Sequence, residues 1–215
     1  MDKNHRTATY DPKDGGLPYR LAVLMVVFNR QGEIFIGESN KIPSDGKPWQ
    51  LPQGGIKEFL KGGIWQPERL SETTEREIKE ELGVAVQITP VRILPERMTY
   101  SFNDDNPKYR GQTLAPVLLH CLSPNNKFDL SAREEGDAHP AFSDWKWARP
   151  SEVLDRVTAV KHAIYQQVLA AFTPTIAAHI TTFNGENRTI PPSAVRPSRG
   201  AHHVQGLHNA PNLTY

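Results

Sequence analysis

The sequence is poor in cysteine, in net charge and in long hydrophobic runs, and each shortage closes off a class of function. One cysteine, Cys121, among 215 residues excludes an intramolecular disulfide and a cysteine metal cluster. It lies in the apolar stretch Pro116–Leu122, which reads as a core thiol and fits a reducing, cytoplasmic setting. A formal net charge of only +1 gives no global basic field to announce a nucleic-acid partner, although local patches stay open. The longest early apolar run, Leu21–Phe28, is far shorter than the ~20 residues a bilayer requires. It follows a polar leader without a small-residue cleavage pattern, so neither a membrane span nor a signal peptide is expected. No repeat of domain-building length is visible.

What is present suits one ordinary core, with a hydrophobic fraction of 38% and a charged fraction of 23%. Met1–Leu17 reads as a loose leader, residues 18–172 as the folded domain, and Thr173–Tyr215, where Pro, Asn, Gly, Ser and His scatter without a period, as a disordered tail. Leu21–Phe28 predicts a buried strand, Asn29–Gly32 a turn, and Glu33–Gly37 the returning strand of a hairpin. Ser71–Leu82 predicts a helix, with Ser71 as N-cap, Glu72 in the first turn and Gly83 as the stop. Val84–Ile88 and Val91–Leu94 read as strand segments split by Pro90, and Val117–Leu122 and Trp145–Ala148 as further strands. A second helix is expected over Ser151–Phe172, where Val153, Val157, Val160, Ile164, Val168 and Phe172 make one apolar face.

The chemistry concentrates between Gly62 and Val84. The order is Gly62, five residues, Glu68, seven residues, Arg76-Glu77-Ile78, one residue, Glu80-Glu81, one residue, Gly83-Val84. On a helix, Glu77, Glu80 and Glu81 fall within about 100° of one another, so three carboxylates share a face. Like charges at these spacings repel by a few tenths of a kcal/mol per pair. A hard divalent cation, Mg²⁺ or Mn²⁺, would compensate them and keep waters for a phosphate to displace. An isolated Glu-x-x-Glu-Glu would read as a solvated acidic face; the full spacing does not.

That full spacing resembles the Nudix box at every defined position. The resemblance implies an α/β fold, a Nudix α/β/α sandwich with a mixed β-sheet and a loop–helix–loop catalytic motif. It implies Glu77, Glu80 and Glu81 as metal ligands, Arg76 orienting a box glutamate, and Glu68 supporting the helix start. The implied reaction is attack of water on phosphorus in a nucleoside diphosphate joined to a further group. Glu80 and Glu81 both stand as candidates for taking the proton.

Trp49–Ile56, Tyr19-Arg20, Lys108–Gln112, Trp145–Trp147 and Val160-Lys161 with Tyr165 are similar to the bacterial RNA pyrophosphohydrolase and dinucleoside polyphosphate hydrolase branch. That similarity implies Arg20, Lys161, Gln53, Gly54 and Gly55 as substrate-binding residues. The implied substrate is a dinucleoside polyphosphate or the 5′-triphosphate end of RNA. Alternatives are a nucleotide sugar or nucleoside triphosphate, or a nucleotide- or RNA-binding module without turnover. Trp145 and Trp147 read as core residues rather than base-stacking ones.

The chain departs from the branch in three places. Glu38-Ser39 replace an expected arginine region after Gly37, Thr113–Val117 replace a glutamine and Trp-Phe, and Ala141 replaces the glutamate before Phe142. Glu134, Glu135, Asp137 and Asp144 are candidate substitutes for that last carboxylate. A further feature is an echo: Gly54-Gly55-Ile56 returns as Gly62-Gly63-Ile64. With Lys57–Ile64 removed, Gly54 stands five residues before Glu68. Lys57–Ile64 is therefore read as an insertion ahead of the catalytic helix, with Phe59 or Trp65 as a possible aromatic flap. Such a lengthened loop costs only about a kcal/mol of closure entropy.

Overall fold

The computed structural model describes residues 8–9, 16–41, 43, 45–61, 64–102, 108–131 and 139–189. Its elements run β1 (Ala8–Thr9), β2 (Tyr19–Phe28), β3 (Ile34–Ser39), β4 (Trp49–Gln50), β5 (Gln53–Gly55), β6 (Glu58–Lys61), β7 (Ile64–Pro67), α1 (Leu70–Glu81), β8 (Ile88–Ile93), β9 (Met98–Ser101), β10 (Gly111–Cys121), β11 (Phe142–Ala148), α2 (Pro150–Arg156) and α3 (Ala159–Thr189).

The apolar run of β2 is continuous because both of its faces are covered. Ala22, Leu24, Val26 and Phe28 face a core shared with α2 and α3. Val23, Met25 and Val27 face a second core with Ile78 and Leu82 of the α1 region. The sheet order is β11-β3-β2-β10-β8. β2 and β10 are parallel, from Gly111↔Tyr19 to His120↔Phe28, and the other pairings are antiparallel, which gives the mixed sheet expected of the sandwich.

One irregularity builds the functional end of the sheet. β3 leaves β2 after the single pair Phe28↔Ile34. β5 takes the vacated edge farther along, pairing Gly55, Gly54 and Gln53 with Ala22, Val23 and Leu24. The Gly54-Gly55 pair is thereby seated in the sheet in front of α1.

Several expectations need correction. Ala8–Thr9, read as part of a loose leader, pair with Tyr19–Arg20; they cover the stretch of β2 edge beyond Gly55, a signal no local pattern carries. Helix α1 begins at Leu70 and is capped at Arg69 rather than Ser71, because the Glu72 carboxylate accepts the Arg69 N–H at 2.8 Å. Pro90 lies within β8 rather than splitting two strands. β8 is an edge strand, and its register against β10 shifts near Pro90, where a missing N–H is tolerated.

The helix expected over Ser151–Phe172 is two helices. Val157 bridges to Trp49 instead of continuing α2, and Asp45 accepts from Thr158 Oγ1 and the Ala159 N–H, each at 2.8 Å, at the start of α3. Helix α3 then runs past Phe172 and through Pro174 to Thr189, so residues 173–189 of the expected tail are helical. Ile176 and Ile180 extend the stripe Ile164, Val168, Phe172 and pack over Gly32. Burial of these side chains offsets the ~3 kcal/mol that an interior proline costs. The rest of the expected tail, 190–215, lies outside the described residues. Trp145 stacks with Phe35 and lies against Phe128, partly buried against the second core, as does Trp147. Among the described residues no helix is long and apolar enough to cross a membrane.

The far end of α3 docks through histidines. His179 Nε2 lies 3.1 Å from His120 Nδ1, and the His120 ring stacks on Phe28. Burial, His179 and Arg30 hold the His120 pKa below its ordinary value. The unfolded chain therefore binds more protons than the native one just below the ordinary histidine pKa of ~6.5, and stability falls as pH drops through that window. We expect the thermal midpoint to fall by a few degrees between pH 7 and pH 5. In His120→Gln that dependence should flatten, as followed by circular dichroism; an unchanged slope would show that this pair is not the titrating element.

Candidate active site

Helix α1 carries Arg76, Glu77, Glu80 and Glu81 on its side toward β5. The Arg76 guanidinium is the junction. Its Nε and Nη2 donate to the two oxygens of Glu68 at 2.9 and 2.8 Å. Its Nη1 donates to Glu77 Oε1 at 2.6 Å and Glu80 Oε2 at 2.9 Å, and Nη2 also reaches the Gly55 carbonyl at 2.8 Å. Burial opposes the charge of Arg76, but Glu68 and Glu77 overcome it and push its pKa up. Glu68 is buried, and Arg76, with hydrogen bonds from Lys57 and Thr73, holds it ionised against that burial.

The glycines leave room for this crowding. A Cβ on Gly54 would lie 1.6 Å from the Glu77 carboxyl carbon, and one on Gly55 would lie 2.1 Å from Arg20 Nη2. A side chain at either position would push the end of Glu77 or of Arg20 out of its place. This places the Gly54-Gly55 pair against the helix; Gly62 and Gly63 lie outside the described residues. The segment read as an insertion contributes to a two-stranded ribbon in which Glu58 pairs with Pro67 and Lys61 with Ile64. Its self-paired unit is Glu58–Pro67, shifted from the expected Lys57–Ile64 because Lys57 instead pairs with Glu68 at the base.

Glu81 points to the opposite rim, where it accepts the Gln53 N–H at 3.2 Å. Removal of water, then repulsion by Glu77, pushes its pKa well above the usual carboxylate range, against the pull of the Gln53 N–H and Lys161. Burial likewise raises Glu77, with Arg76 opposing and Glu80 reinforcing. Lys161 is buried on the first turn of α3, and desolvation pushes its pKa down to about 8 while Glu81 opposes the shift. Its ammonium donates to Gln50 Oε1. Beside it, Tyr165 OH accepts the Leu51 N–H at 3.1 Å. Arg20 lies close enough to favour ionisation of both Glu77 and Tyr100. Gln53 Nε2 donates to Gln112 Oε1 at 3.0 Å.

All ten expected site residues are therefore brought to one end of the sheet. Gln50, Lys57, Tyr100 and Gln112 join them without having been assigned roles. Lys57 follows the Gly54-Gly55-Ile56 lead-in and approaches Glu80 at 3.7 Å; only the pairing of Lys57 with Glu68 discloses that. Of the candidate substitutes for a late-loop glutamate, 134, 135 and 137 lie outside the described residues. Asp144 accepts its neighbour Trp145's N–H at 2.7 Å on the exposed end of β11.

Among the described residues, no three metal-ligating side chains stand in coordinating geometry, because Arg76 holds Glu77 and Glu80 while Glu81 turns to Gln53. The donor set nevertheless suits a hard divalent cation. It offers carboxylate oxygens only, and two of the three carboxylates are raised in pKa by burial and mutual repulsion that a cation would relieve. Gly54→Ala should displace the Glu77 carboxylate and reduce turnover by about two orders of magnitude. Far-ultraviolet circular dichroism should stay native; full activity in Gly54→Ala would show that the Gly54–Glu77 contact is not required.

A family model described as the NUDIX domain matches residues 18–169. An RNA pyrophosphohydrolase of Cereibacter sphaeroides is 34% identical over 176 residues, covering 79% of this chain and 98% of that protein. One of Novosphingobium aromaticivorans is 32% identical over 164 residues, covering 73% of this chain and 94% of that protein. A solved Nudix hydrolase from Nitrosomonas europaea has a TM-score of 0.49 and 13% identity, covering 73% of this chain and 90% of that one. Members of this family generally use divalent metal ions. With a family model spanning most of its length and relatives above 30% identity, the chain belongs to the Nudix family.

Proposed function

We propose that this protein is a metal-dependent pyrophosphohydrolase acting on the 5′-triphosphate end of RNA, with dinucleoside polyphosphates as chemically related substrates. The observation that carries the reading is the convergence of Glu68, Glu77 and Glu80 on Arg76 beside the Gly54-Gly55 edge, with Glu81, Arg20 and Lys161 at the same end of the sheet. The names of the relatives support the RNA substrate.

Glu77, Glu80 and Glu81 would hold Mg²⁺ or Mn²⁺, which when bound neutralises the diphosphate and acidifies a water. Arg76 sets the orientation of Glu77 and Glu80 through charge-assisted bonds. Glu81 takes the proton from the attacking water. Arg76 leaves Glu81 to accept the Gln53 N–H, whereas the Glu80 carboxylate is occupied by Arg76 and approached by Lys57. Lys161 and Arg20 bring positive charge to the phosphates or base of the substrate.

Glu81→Gln should remain folded and lose about two orders of magnitude or more in turnover, and chelator should abolish wild-type activity. A substrate panel run with Mg²⁺ and with Mn²⁺, with products resolved by chromatography, tests both points and the substrate class. Preferred cleavage of a nucleotide sugar or nucleoside triphosphate would overturn the RNA assignment, and wild-type rates in chelator would overturn metal dependence. In the same panel, Arg20→Ala and Lys161→Ala should raise KM for triphosphate-ended RNA more than they lower kcat. Unchanged kcat/KM in both would remove these residues from the substrate site.

A further inference from the structure

The hairpin ahead of α1 is used by nothing in the reaction described so far, yet it is rooted in the reaction centre. Lys57 and Glu68 exchange backbone and side-chain bonds: Glu68 N–H donates to the Lys57 carbonyl at 2.7 Å, and Lys57 N–H donates to Glu68 Oε2 at 3.3 Å. Beyond Lys57 the chain enters β6, which pairs with β7 as a two-stranded ribbon separate from the main sheet.

Side chains on such a strand alternate between faces. The ammonium of Lys57 lies 3.7 Å from Glu80 Oε1, so the Lys57 face is the one turned to the carboxylates. Phe59 stands two residues on, at the same parity and roughly 7 Å farther along the strand. It is 42% exposed, and it is the one aromatic among the large hydrophobic side chains exposed in the described residues. A phenyl ring left in water on a ribbon anchored to Glu68, next to a lysine that reaches Glu80, has the composition of a single-strand binding track. Cationic groups follow the phosphates, and an aromatic face takes bases regardless of their identity.

We propose that the Lys57–Phe59 face of the hairpin is a stacking subsite for the single-stranded RNA that trails behind the 5′-terminal nucleotide. The proposal rests on the RNA reading given above. It makes substrate length, rather than base sequence, the property that the inserted ribbon senses. The 5′ triphosphate is handled by the carboxylate end, and the ribbon holds the chain that a mononucleotide lacks.

The test compares triphosphorylated RNAs of two and eight nucleotides. The wild-type protein should prefer the octanucleotide. Phe59→Ala should lower kcat/KM on the octanucleotide by about five-fold or more, mainly through KM, as loss of one base stack implies. It should leave the dinucleotide within about two-fold, and Phe59→Trp should retain the preference. In Phe59→Trp, indole fluorescence should also quench on titration with an octanucleotide bearing a 5′-monophosphate, a readout that needs no turnover. Equal rates for the two lengths in wild type, an equal loss on both in Phe59→Ala, or no quenching in Phe59→Trp would each overturn the subsite. Failure of wild type to cleave either RNA, with quenching intact, would instead strike the proposed reaction and leave the ribbon as an RNA-binding element.

Discussion

The guanidinium of Arg76 joins pieces of chain that would otherwise repel or ignore one another. Glu68 comes from the loop before α1, Glu77 and Glu80 from the helix itself, and the Gly55 carbonyl from a strand of the sheet. Carboxylates at the spacing of Glu77 and Glu80 on a bare helix would push apart. With one planar cation among them, its donors spread over five oxygens of four residues, they can be held close to the sheet edge with little water. That closeness propagates outward. It uses the space left by Gly54 and Gly55, since a carboxylate and a second guanidinium occupy the places where Cβ atoms would sit. It also leaves Glu81, which Arg76 does not hold, as the carboxylate with the strongly raised pKa.

The sheet prepares a seat for this cluster by being imperfect. Had β3 stayed beside β2 along its whole length, no edge would remain for β5, and the glycine pair could not face the helix. The divergence after Phe28↔Ile34 opens that edge. On the opposite layer, the start of α3 is tied to the same region from three sides. Lys161 reaches Gln50, Tyr165 receives the Leu51 N–H, and Val157 bridges Trp49. The two layers thus meet at one end of the sheet, with acidic groups supplied from α1 and basic ones from β2 and α3. At the other end, the same α3 extends along an apolar stripe to the histidine pair, so one helix spans the site and the most distant part of the core.

The carboxylate set, Arg76 and the family were legible in the chain because their information is one-dimensional. Helical spacing puts Glu77, Glu80 and Glu81 on one face whatever surrounds them, and the box residues lie within a short stretch. The continuous run of β2 likewise announced a strand buried on both faces. The repeated glycines drew attention to the segment that forms the ribbon, though not to its limits. Strand pairing between Lys57 and Glu68 set them, and no local composition encodes a register.

Other features depended on contacts between residues far apart in sequence. The stripe Ile164, Val168, Phe172, Ile176 and Ile180 was present in the sequence, but Pro174 and the polar composition after it argued for a stop. Burial against Gly32 and the β2 core decided for helix. Asp45 and Trp49 decided where α2 gives way to α3, which apolar periodicity alone ran together. The perturbed ionisation of Glu81 and Lys161 also waited on tertiary structure, because it arises from water excluded by atoms drawn from several elements. Spacing along the chain determined which groups could share a helix face. Packing across the chain decided which of them lost water, and with it which ionise away from their ordinary range.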